Sequence, residues 1–215
     1  MPLYKTLKVN ENTKVLIWKI DESLETLNEG ITLTKKCQRR VDGMKSELHK
    51  RGFMSIRHLL AELDYVDADL YYDDLGKPHL KDGNFISITH SFTFTGIILS
   101  KTKQVGIDIE KQRDKIVRIA HKFTTVDDYK NIKTEHELVR KLTIVWGAKE
   151  SLYKIYEQEG LSFLQHIYVD DFALTDTETT ATITYEKKKS TYRIYFLEFE
   201  GFMCTYALDE VITDS

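Results

Sequence analysis

The stretch Val145–Lys154, V-W-G-A-K-E-S-L-Y-K, most constrains what this chain can fold into. It continues an apolar pattern of helical period: Leu138, Leu142, Val145 and Leu152 fall at spacings of four, three and seven, predicting a helix over His136–Tyr156. Glu150 and Lys154 are four apart and project from one face of that helix. Gly147 removes a side chain one turn before Glu150 and lets something bulky approach. Alone, such a Glu–Lys pair describes many solvated helices. It gains meaning from a second stretch, Val105–Glu110, V-G-I-D-I-E. As a strand, this sets Val105, Ile107 and Ile109 toward a core and puts Asp108 and Glu110 together on the opposite face.

Other segments supply the frame. Lys14–Ile20 reads as a buried strand, rich in β-branched and aromatic residues. A helical pattern runs from about Leu33 to Leu63, with breaks expected at Gly43 and Gly52. This is the most basic region, and most of its charges suit a solvated helix face. Arg57 differs: it lies in the apolar run F-M-S-I-R-H-L-L, where an arginine needs a partner, and a ligand phosphate is one candidate. Tyr71–Leu80 reads as a strand end and a turn that presents Lys77 between Gly76 and Pro78. Phe85–Ser91 alternates like a half-buried strand ending in Thr89, His90 and Ser91, which can all hydrogen-bond phosphate. Thr95–Ser100 is another apolar strand.

The second half repeats the outline. The Val105–Glu110 strand leads to helices around Ile116–Phe123 and His136–Tyr156, then strands near Ile167–Leu174, Ala181–Tyr185, Thr191–Glu198 and Met203–Leu208. Lys187, Lys188 and Lys189 mark a solvated turn. The expected class is α+β, in two similar subdomains over 1–103 and 104–215, each a strand meander packed on helices. Net charge is −3, which implies no general affinity for nucleic acid. Two cysteines with no CxxC pair suit a reducing compartment, and no apolar run approaches a membrane span, so a cytoplasmic protein is expected.

Asp108 and Glu110 on one strand face suit a hydrated divalent cation such as Mg²⁺, with Glu150 as a third carboxylate if the helix packs over that face. With Lys149, Lys154, Lys77, His90 and Arg57 nearby, the site would join acidic groups for a metal to basic groups for phosphate, as phosphoryl transfer requires. No GxxxxGK[ST] loop or GxGxxG turn is present.

G-K-P (Gly76–Pro78), I-T-H-S (Ile88–Ser91), V-G-I-D-I-E (Val105–Glu110) and W-G-A-K-E-S-L-Y-K (Trp146–Lys154), in that order, resemble the 4′-phosphopantetheinyl transferase superfamily, in particular its larger, surfactin-type monomeric class. The resemblance implies two subdomains related by a pseudo-twofold and transfer of the phosphopantetheine arm of coenzyme A to a serine of an apo acyl, peptidyl or aryl carrier protein. By the same resemblance, Asp108, Glu110 and Glu150 would hold Mg²⁺. Lys154 would contact the pyrophosphate, and His90, with Thr89 beside it, the CoA phosphate. Lys77 and Arg57 would lie near the adenosine 3′-phosphate, Lys149 belongs to the motif with a less defined role, and Glu150, directly or through a metal-bound water, would take the serine proton. Two other readings are a non-catalytic CoA- or carrier-binding module and a metal-dependent pyrophosphate hydrolase.

Overall fold

The computed structural model describes residues 3–125, 129, 132–156 and 160–209. The chain divides into two compact units, Met1–Thr102 and Lys103–Ser215.

The first unit runs β1 (Leu3–Lys8), β2 (Thr13–Lys19), α1 (Leu24–Asn28), α2 (Lys35–Asp42), α3 (Glu47–Ala61), β3 (Leu70–Tyr72), β4 (Pro78–Leu80), β5 (Phe85–Ser91) and β6 (Phe94–Ser100). Four strands form an antiparallel sheet in the order β1-β2-β6-β5, and β3 and β4 make a separate hairpin. Helix α3 packs on β2 and β6. Leu16, Trp18, Met54, Leu59, Leu60 and Ile97 form the centre of the core, and each of the buried Leu, Ile and Met side chains contributes about 1.5–3 kcal/mol. Side chains cap both longer helices: Thr34 Oγ1 accepts from Cys37 N–H, and Ser46 Oγ from His49 N–H. Gly43 closes α2 as expected, whereas Gly52 does not break α3. It lies buried inside the helix, where a side chain would abut the His90 ring at 3.9 Å.

The second unit runs β7 (Val105–Lys111), α4 (Lys115–Ile119), α5 (Glu135–Tyr156), α6 (Phe163–His166), β8 (Ile167–Val169), β9 (Glu178–Tyr185), β10 (Lys188–Phe199) and β11 (Phe202–Leu208). The sheet order is β7-β11-β10-β9-β8, again antiparallel. The two units share a connectivity. A strand (β2 or β7) leads to a long helix (α3 or α5) and then a meander whose last strand (β6 or β11) pairs with the first. The mixed α and β composition agrees with the expected class. Strand β8 ends at Val169, short of the expected Leu174. The turn between β9 and β10 falls on Glu186 and Lys187, both at positive φ, so Lys188 and Lys189 are strand residues rather than turn residues. Strand β1 is an exposed edge strand with little apolar alternation, so its sequence carried no clear strand pattern.

No helix among the described residues is long and apolar enough to cross a membrane.

Candidate active site

Two glycines bring α5 down onto the carboxylate face of β7. A Cβ on Gly106 would sit 1.9 Å from the backbone carbonyl oxygen of Ser151, and one on Gly147 would sit 2.4 Å from Thr205 Oγ1 on β11. Helix and sheet therefore meet backbone to backbone, and Ser151 Oγ donates to the Thr205 carbonyl at 3.1 Å. This makes β7 a strand covered on both faces: Val105, Ile107 and Ile109 are buried, and so is Asp108 beneath the helix.

The contact places the polar end of α5 over the end of β7. Lys154 Nζ donates to the Ile107 carbonyl at 2.7 Å and lies 3.3 Å from Asp108 Oδ1. Glu110, two residues along β7, is paired with Arg113 at 2.9 Å. Glu150 is half-buried one turn before Lys154. Burial pushes its carboxyl above the usual range; the negative charge of Asp108 adds to this, Lys154 opposes it, and Glu110 adds again. Glu110 is raised too, first by burial and also by Asp108, against the hydrogen bond from Arg113. The three carboxylates thus sense one another as like charges in a partly desolvated space.

As arranged here, no three His, Cys, Asp or Glu side chains among the described residues converge closely enough to hold a metal ion. The donor chemistry nevertheless fits Mg²⁺. All the acidic groups are hard oxygen donors, and a cation would offset negative charge that burial, and then the neighbouring carboxylates, make costly at Glu110 and Glu150. Asp108 and Glu110 are held by Lys154 and Arg113, contacts that metal ligation would rearrange.

Lys149, inside the same motif, has other partners. Its ammonium donates to the carbonyls of Phe123 (2.5 Å), Phe163 (2.7 Å) and Ile167 (2.5 Å). These bonds commit its three hydrogens to tying α5 to its neighbours, a structural role in place of the expected ligand contact. Trp146 packs between Phe123 and Phe163, with ring centroids 5.1 and 5.5 Å away.

In the first unit, a cavity of about 340 Å³ is lined by Arg40, His49, Phe53, Arg57, Tyr72 and His90, among others. His90, exposed at the end of β5, meets the edge of His49 with centroids 6.3 Å apart. Thr89 beside it is buried. Arg40 lies over the rings of Phe53 and Tyr72, 5.6 Å from each centroid. Neither Arg40 nor His49 stood out in the sequence, where Arg40 was one of eight basic residues. The distinguishing signal is positional: α2 and α3 each aim one of these residues at the His90 strand end.

Arg57 finds its partner inside the protein. It is 3% exposed, stacks 3.4 Å over the Phe53 ring and pairs with Asp67, whose side chain is fully buried, at 2.9 Å. Asp67 also accepts the Thr34 N–H at 2.8 Å, anchoring the start of α2. Burial alone would raise the Asp67 carboxyl. Hydrogen bonds from Thr34, Arg57 and Cys37 outweigh it and hold the group below its ordinary value. The partner that Arg57 demanded is therefore a carboxylate ten residues away, where the sequence suggested a ligand phosphate as one candidate.

Lys77 sits in the β3–β4 turn, its backbone N–H bonded to Asp73 Oδ1 at 2.9 Å.

Residues 104–207 match the profile of the 4′-phosphopantetheinyl transferase superfamily. Over 138 residues the chain is 30% identical to 4′-phosphopantetheinyl transferase Sfp of Bacillus subtilis (strain 168), an alignment covering 60% of this chain and 59% of that protein. The chain thus spans about three fifths of this relative's length.

Proposed function

We propose that this chain is a 4′-phosphopantetheinyl transferase of the larger, surfactin-type class, which modifies a serine of an apo acyl, peptidyl or aryl carrier protein using coenzyme A. The observation that carries the reading is the seating of Lys154 on Asp108, with Glu150 one turn away, within the segment that matches the superfamily. The relative's printed name is that of such a transferase.

Asp108, Glu110 and Glu150 would hold Mg²⁺, which when bound would offset the negative charge of the CoA pyrophosphate. Glu150 is assigned as the base. It would take the serine proton, directly or through a water. The serine oxygen then bonds to the phosphorus on the pantetheine side of the pyrophosphate. The bond from that phosphorus to the bridging oxygen breaks, and its electron pair leaves with adenosine 3′,5′-bisphosphate. Lys154 is assigned to the phosphate charge. His90 and Thr89, with Arg40 and His49 lining the same cavity as His90, are assigned to a phosphate of CoA, and Lys77 to its 3′-phosphate. Arg57 and Lys149 are not assigned to ligand contact: the Arg57 guanidinium is buried against Asp67, the Phe53 carbonyl and Cys37, and Lys149 is bonded to three carbonyls.

Two features extend the proposal. The shared connectivity of the units supports two similar subdomains. Net charge −3 and two free thiols are in keeping with a cytoplasmic monomer that acts on neither nucleic acid nor membrane.

The test is intact-mass spectrometry of an apo carrier protein incubated with this protein, CoA and Mg²⁺. A gain of roughly 340 Da, one phosphopantetheine arm, that EDTA abolishes is expected. CoA consumed without a modified carrier would replace the proposal with hydrolysis, and CoA bound without turnover would replace it with a binding module.

A further inference from the structure

One carboxylate ties the turn that carries Lys77. Asp73 lies just after β3, and its Oδ1 accepts the backbone N–H groups of Leu75 at 3.0 Å and Lys77 at 2.9 Å. The backbone closes the same loop: Asp73 N–H donates to the Lys77 carbonyl, and Gly76 N–H to the Asp73 carbonyl, both at 3.1 Å. Gly76 occupies φ +86°, a conformation that side chains disfavour, and Pro78 begins β4 with φ constrained by its ring. The other carboxylate oxygen, Oδ2, lies 2.9 Å from His79 Nε2. The His79 ring stacks on Tyr71, its partner across the hairpin, with centroids 5.3 Å apart and planes 23° from parallel. These contacts, with His79 foremost and then the Lys77 N–H, hold the Asp73 carboxyl below its ordinary range, so it is an anion at neutral pH.

Tyr71 and His79 thus orient the carboxylate from the strands, and the carboxylate fixes the backbone on both sides of Gly76. We propose that Asp73, oriented by His79, is a positioning residue that presents Lys77 to the 3′-phosphate of CoA. The inference rests on the reading of Lys77 as a phosphate contact. A lysine on an unfixed five-residue loop must be ordered each time ligand binds, and that ordering subtracts from affinity. In this hairpin the Asp73 carboxylate and the backbone bonds already order the loop. The benefit goes only to a ligand that bears the 3′-phosphate.

The experiment is titration calorimetry of CoA and of dephospho-CoA, which lacks the 3′-phosphate, into the full chain and its variants. Lys77→Ala should bind both ligands about equally. Asp73→Ala should lose about five- to tenfold of the preference for CoA, the scale of one weakened charge-assisted contact, with dephospho-CoA affinity unchanged. Asp73→Asn should keep most of the preference, because its amide oxygen can accept the same two N–H groups. A merely structural defect would weaken both ligands alike and overturn the proposal. Parent-like preference in Asp73→Ala, with preference lost in Lys77→Ala, would overturn the positioning role of Asp73 and leave the reading of Lys77 standing. Parent-like preference in Lys77→Ala would remove both.

Discussion

Substituting Gly106 with alanine tests the close approach on which the site depends. The added Cβ would lie 1.9 Å from the Ser151 carbonyl oxygen, 2.7 Å from its carbon and 3.1 Å from its Cα. A relaxed carbon–oxygen contact is roughly 3.3 Å, so the shortfall is about 1.4 Å. The obstructing atoms are backbone, and no rotamer change removes them. Helix α5 must lift from β7, taking Glu150 and Lys154 away from Asp108. Overpacking of this kind costs about 1–3 kcal/mol, which lowers Tm by about 2–12 °C in a chain of this size. A misplacement near 1 Å slows a reaction about 100-fold, so transfer should fall further than stability. Gly147→Ala provides the internal control. Its Cβ would meet Thr205 Oγ1 at 2.4 Å and Cγ2 at 3.1 Å, both side-chain atoms. Adding Thr205→Ala should therefore restore much of what Gly147→Ala loses, whereas no side-chain deletion should rescue Gly106→Ala. Thermal melts and the carrier-modification assay read both effects. A Gly106→Ala protein with parent Tm and parent rate would refute the argument that this contact sets the site.

Other outcomes follow from the same geometry. Asp67→Asn leaves the Arg57 guanidinium buried without its counter-charge and should cost about 3–5 kcal/mol in a urea titration. Because the Asp67 carboxyl is held below its ordinary value of 3.8, its contribution is complete above that pH and is lost as pH falls through its lower folded value; the variant should lack that acid-side loss. Glu150→Gln should lower transfer by about 10²–10⁴-fold. The raised pKa of Glu150 means that folding loses stability as pH rises from the ordinary 4.5 through the higher folded value, so melts of Glu150→Gln should show a shallower decline over that window. Asp108→Ala should abolish transfer while the protein stays folded, and Mg²⁺ should raise the Tm of the parent but not of this variant; Mg²⁺-dependent turnover in the variant would remove Asp108 from the site.

Periodicity alone marked most of the frame, because the strands alternate and α5 carries an apolar stripe. Phe85–Ser91 and the core of β7 were legible for that reason, while β1 was not, since an exposed edge strand lacks alternation. The pairing of Asp108 with Glu110, and of Glu150 with Lys154, also follows from local geometry, two residues along a strand and four along a helix. Tertiary structure decided what those pairs meet. Whether α5 covers the carboxylate face depends on Gly106 and Gly147 lying opposite Ser151 and Thr205, residues 45 and 58 positions away. Two cations whose chemistry is plain in the sequence changed roles on folding: Arg57 is taken by Asp67 and Lys149 by three carbonyls. A sequence shows that a buried charge must be compensated, but the compensating group is chosen by packing, because desolvation makes any well-placed oxygen within reach a strong partner. For the same reason Arg40 and His49 emerged as companions of His90 only when α2 and α3 were in place around one cavity.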